Sequence, residues 1–85
     1  MLAIETKTGQ VRVDFDGSLA CSNPKSDIIS GWSWWSNQVL SVFWGDSQYL
    51  YQGVPFSTVH AMMSADSLGK FLNAEVKPKY EGKRC

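Results

Sequence analysis

Residues 49–80 read YLYQGVPFSTVHAMMSADSLGKFLNAEVKPKY, and this stretch decides the fold. Tyr49 and Tyr51 fall on one face of a strand, because successive side chains of an extended chain alternate. Val54-Pro55 then marks a helix start, since proline at the first helical position gives up an N–H that has no intrahelical acceptor anyway. From Pro55 to about Ser67, the residues Phe56, Val59, Met62 or Met63, and Ala65 or Asp66 recur at spacings of three and four, which predicts an amphipathic helix. Gly69 stands where a positive-φ helix stop is expected, with Lys70 beside the negative end of the helix dipole. Pro78 blocks further helix, leaving a basic extended tail.

Upstream the pattern is β. Ile28–Trp35 and Val39–Trp44 read as strands joined by Ser36-Asn37-Gln38, and Gly45-Asp46-Ser47 turns the chain into Tyr49–Tyr51. Connections this short join antiparallel neighbours. Leu40, Val42 and Trp44 share one face, while Ser41 and Phe43 point the other way. The expected fold class is α+β: a small antiparallel meander of about three strands packed on one helix, with an added N-terminal β-hairpin. The hairpin is read from residues 3–16, AIETKTGQVRVDFD, turning at Thr8-Gly9-Gln10, where Val11, Val13 and Phe15 alternate with Arg12, Asp14 and Asp16. A lone hairpin is marginal in water, so its apolar face needs the following module or a neighbouring subunit. Asp16–Ser26 is rich in turn formers and holds Asn23-Pro24, which makes it the expected linker. The chain thus divides into a hairpin extension and linker at residues 1–24 and a second unit at residues 25–85.

Ser26 and Ile28, then Leu40, Val42 and Trp44, then Tyr49, Tyr51, Val54 and Pro55 form an ordered series. It continues through Ala65, Ser67, Gly69, Lys70, Phe71 and Asn73 to Val76, Lys77, Lys79 and Tyr80. This series resembles the KTSC domain, a short module seen at the C-terminus of some lysyl-tRNA synthetases and in small bacterial and phage proteins. The resemblance covers residues 26–80, about two-thirds of the chain, and leaves residues 1–24 outside. Leu72, where an aromatic is common, and Trp32–Trp35, in place of a more polar strand and turn, depart from the pattern. The family has no established activity; an RNA-binding role has been suggested, and the resemblance implies no more than that suggestion.

At 85 residues the chain is one small domain of thin stability, for which partners or self-association add support. Eight basic and eight acidic residues cancel, which argues against whole-protein attraction to a polyanion, although residues 66–85 keep a local basic excess. Cys21 and Cys85 read as reduced thiols in a cytosolic protein rather than as a disulfide. There is no cationic leader with an apolar core and no apolar run near the ~20 residues of a membrane span, so a soluble, cytoplasmic or virion-borne protein is expected.

No catalytic set can be assembled, and no cofactor is expected. His60 is the lone histidine and nothing in the spacing pairs it with Cys21, Cys85 or a serine. Asp14-x-Asp16-Gly17 looks like a fragment of a calcium loop but lacks the further oxygen ligands and the closing glutamate, so a strand end running into a turn is the expected reading. Ser67-Leu68-Gly69-Lys70 lacks the leading glycine of a phosphate loop. What stands out is aromatic density: Trp32, Trp34, Trp35 and Trp44, with Tyr49, Tyr51 and Phe43, more rings than one helix shelters, because Trp34 and Trp35 must face opposite sides of a strand. The four tryptophans and two tyrosines, with Lys70, Lys77 and Lys79, are the candidate interaction residues. The leading expectation is a non-enzymatic interaction module in an oligomeric or phage-virion-like assembly, its hairpin docking on a neighbour, with protein partners or self-association and no membrane. The alternative is a module that binds RNA or single-stranded DNA, the rings stacking on bases and the lysines meeting phosphates.

Overall fold

The computed structural model describes residues 2–26 and 28–84. Its strands are β1 (Leu2–Thr6), β2 (Gly9–Val13), β3 (Leu19–Cys21), β4 (Ile29–Trp35), β5 (Val39–Trp44), β6 (Ser47–Tyr51) and β7 (Gly82–Arg84). They form one antiparallel sheet in which every strand lies beside its sequence neighbours. The helices are short: α1 (Phe56–Met63) and α2 (Leu68–Phe71), the latter running into a π-helical turn at Leu72–Val76.

The expected three-stranded meander on one helix is therefore corrected to a seven-stranded sheet with two short helices. Three local readings account for the difference. Asp16–Ser26 contains β3, too short to show a period: Leu19 and Cys21 turn inward and pair with Trp34 and Trp32. Gly82–Arg84 forms β7 against Tyr49–Tyr51, although Gly, Lys and Arg carry no strand pattern. The single helix breaks at Ser64, where the Ser64 and Ala65 N–H groups bond back to Ala61 and Met62, and a new helix starts on the Ser67 side chain, which accepts from the Lys70 N–H. Gly69 lies inside α2, not at a positive-φ stop, and a Cβ there would meet the Ile28 side chain at 2.8 Å. The hairpin of β1 and β2 joins its own sheet through β3.

One face of the sheet carries the core. Val11, Leu19, Cys21, Ile29, Trp32, Trp34, Leu40, Val42 and Tyr51 are buried beneath Val59, Met62 and Met63 of α1 and Leu68, Leu72 and Val76 of the second helical segment. Trp34 anchors this layer: its Nε1–H donates to the buried Val54 carbonyl at 2.9 Å, just before α1 begins. At the far edge the buried Tyr51 ring lies across Gly82, so that a side chain there would collide with it.

Two substitutions test these supports. Trp34→Phe keeps a ring but strands the Val54 carbonyl, and urea unfolding should show a loss of about 1–3 kcal/mol. Gly82→Ala forces the Tyr51 ring aside, for a loss of about 1–3 kcal/mol with accelerated amide exchange in β6 and β7.

Candidate functional site

Because both helical segments pack on one face, the other face has no helix over it. Three cross-strand rows of side chains form it. The middle row runs Arg12, Ala20, Ser33, Ser41, Leu50, Lys83 from β2 to β7, following the register of every adjacent pair. On one side lie Gly31, Phe43 and Gln48; on the other, Trp35 and Val39. Small side chains in the middle row leave a low floor, and Trp35 and Phe43 rise beside it, 42% and 43% exposed. Gln48 Nε2 donates to Ser41 Oγ at 2.8 Å, which satisfies the buried hydroxyl at the centre of the floor.

The charges at the ends of this face alternate. Lys83 ends the middle row on one side, and on the other Arg12 stands one strand in from the edge, beside Ala3 of β1. Asp14 lies two residues on from Arg12 and accepts from Ser18 Oγ at 3.3 Å, and Glu81 lies two residues before Lys83, its carbonyl accepting from the Gln52 N–H at 3.3 Å. A carboxylate thus stands at each end of the row that holds Trp35 and Val39.

The nine residues singled out from the sequence divide sharply. Trp32, Trp34 and Tyr51 are buried in the core and present no surface to a partner; the Trp32 Nε1–H has no acceptor among the described residues. Trp44 and Tyr49 are half-buried on the helix side, edge to face at 6.3 Å, and Lys77 Nζ lies 4.4 Å from the Trp44 ring centre. Lys79 is tied to Glu75 at 2.6 Å, which raises its pKa through that hydrogen bond. Lys70 lines a shallow groove of about 420 Å³ with Lys25, Ser26 and Ser67. Only Trp35 lies on the bare face. Phe43, Arg12 and Lys83 fall outside those nine, although alternation places Phe43 opposite Leu40, Val42 and Trp44, and Arg12 opposite Val11 and Val13.

The other chemical motifs resolve into structure. Ser18 donates from Oγ and from its backbone N–H to Asp16 Oδ1, at 2.7 and 2.9 Å, which closes a turn and holds the Asp16 carboxyl below its usual range. Among the described residues no group of three or more His, Cys, Asp or Glu side chains is placed to hold a metal ion. His60 is exposed on α1 beside Phe56, whereas Cys21 is buried in the sheet; Cys85 lies outside the described residues. Among the described residues, no helix is long and apolar enough to cross a membrane.

These features define a two-layer α+β module, helices on one face of an antiparallel sheet and the other face bare. The sequence model of the KTSC domain matches residues 34–80, more than half of the chain, and the protein belongs to the KTSC domain family. No curated protein matches the chain.

Burial pushes the Cys21 thiol above its ordinary 9.0, partly opposed by the Asn23 backbone. Burial first, and then the neighbouring Tyr49, pushes the Tyr51 phenol above 10.0. Both groups hold their protons more tightly folded than unfolded. Their contribution to stability is complete below the unfolded values and drains away as pH rises through the folded ones. Urea titrations should show stability falling above about pH 9, with Tyr51→Phe flattening that slope, and the peptide bearing Cys21 should resist iodoacetamide until the protein unfolds.

Proposed function

We propose that the protein is a non-enzymatic interaction module that docks a protein partner on the bare face of its sheet. The exposure of Trp35 and Phe43 on either side of a floor of small residues carries this reading. Large rings standing beside a low surface supply contact area with few rotatable bonds, the composition that concentrates binding energy at protein interfaces. The face carries both signs, with Arg12 and Lys83 set among Glu5, Asp14 and Glu81, and this favours a mixed protein surface over a polyanion.

Nucleic-acid binding has weaker support. Base stacking needs open ring faces along a basic groove. Lys77 already lies over the Trp44 ring, Lys79 is paired with Glu75, and Lys70 lies in a groove that no aromatic side chain lines.

The test is a double substitution, Trp35→Ser with Phe43→Ser. Both rings are well exposed, so the variant should unfold within a few degrees of the parent. Association should be lost, read as mass by light scattering from about 1 to about 100 µM and as retention of partners on immobilised protein. Unchanged association would overturn the reading. Salt-sensitive gel shifts with single-stranded RNA that vanish in Lys77→Glu would transfer it to nucleic acid.

A further inference from the structure

Given that the bare face is the docking surface, we infer that its occupant is a second copy of the same chain. The two copies would be related by a twofold axis that lies along the face and crosses the strands at right angles. The pattern of charges selects this arrangement. Such an axis placed between the middle row and the Trp35 row exchanges the two rows while leaving each strand above its own counterpart. Arg12 of one copy then faces Asp14 of the other, and Lys83 faces Glu81. Twofold symmetry repeats both contacts, giving four opposite-charge pairs at the rim.

The same exchange fits the interior. Trp35 sits over Ser33 of the second copy and Val39 over Ser41, so the tall side chains of one row enter the low floor of the other. Phe43 overhangs the floor and reaches the Asn37-Gln38 turn of the second copy. Turning the axis parallel to the strands sets Arg12 against Lys83 and Asp14 against Glu81, four like-charge contacts, so that stacking is disfavoured.

The area is sufficient for a weak dimer. Five strand spacings from β2 to β7 span about 24 Å, and three rows span about 20 Å, or roughly 500 Å² per copy. The total of about 1,000 Å² lies at the threshold of a specific interface, which points to micromolar self-association. Sheets stacked face to face keep their strands within about 30° of one another, as this axis requires.

Charge exchange at Glu81 and Lys83, just before and within β7, tests the register, because both residues are exposed. In sedimentation equilibrium from about 1 to about 100 µM the parent should dimerise. Lys83→Glu should weaken the dimer about tenfold or more, since each lost attraction counts twice and becomes a repulsion; Glu81→Lys should do the same. Glu81→Lys combined with Lys83→Glu should restore association to within about threefold of the parent. A parent that stays monomeric throughout, or a dimer indifferent to the single reversals, overturns self-pairing. Retention of another protein by the parent, lost on Trp35→Ser with Phe43→Ser, would in that case leave the docking reading standing; absence of both dimer and retention removes the two together.

Discussion

The hydrogen bond from the Trp34 indole to the Val54 carbonyl fixes how this protein is layered. It ties the end of β4 to the residue that leads into α1, 20 positions later, and so decides which face of the sheet the helices cover. Once Trp34 faces inward, alternation sends Trp32, Leu40, Val42 and Tyr51 to the same side and sends Ser33, Trp35, Ser41 and Phe43 to the other. The helical layer contributes Val59, Met62, Met63, Leu68, Leu72 and Val76, enough to seal one face and no more. Exposed aromatics on the second face follow from the geometry of a single strand pair.

The residues that carry the family resemblance are explained by this layering. Ser26 Oγ accepts from the N–H groups of Ile28 and Ile29, which fixes the start of β4. Ser67 caps α2 in the same manner, and Gly69 lets the Ile28 side chain approach the helix more closely than a Cβ would allow. The two motif segments, some 40 residues apart, thus meet in one contact between the residue just before β4 and the second helix. Lys77 covers Trp44, and the Tyr80 hydroxyl reaches Thr58 at 2.9 Å, closing the helical layer at its other end. Each of these interactions stabilises the fold, so none of them needs a ligand to account for the residue.

The central hairpins were legible in the sequence because period-two alternation and tight turns are local signals. Val39–Trp44 appears where the alternation placed it, and the N-terminal hairpin forms, but it turns at Lys7-Thr8 instead of Thr8-Gly9-Gln10 and leaves Phe15 beyond β2, exposed. The short strands were not legible. Three residues show no period, and β3 and β7 exist because Trp32, Trp34 and Tyr51 offer them a wall and a ladder of unpaired backbone groups. The break at Ser64 was hidden for the opposite reason: apolar spacing continues across it, and only the Ser67 cap reveals a second helix. Of the site, the opposed directions of Trp34 and Trp35 were certain from alternation. The sorting of the remaining rings depended on which face the helices would take, and that is a tertiary choice.

The bare face is assembled from more of the chain than the family match covers. Residues 34–80 supply Trp35, Val39, Ser41, Phe43 and Leu50, the raised rings and part of the floor. Arg12 and Ala20 come from the N-terminal strands and Asp14 follows β2, while Lys83 comes from the final strand and Glu81 precedes it, so both charged ends lie beyond the matched segment. Apolar contact area alone would let the face meet many surfaces in many registers. Alternating charges at both rims penalise other registers of the proposed pairing, because a shift by one row sets Arg12 against Arg12 and Lys83 against Lys83. On the proposed docking, the apolar contact area comes largely from the matched segment, and the charges that would select a register come from the residues added around it.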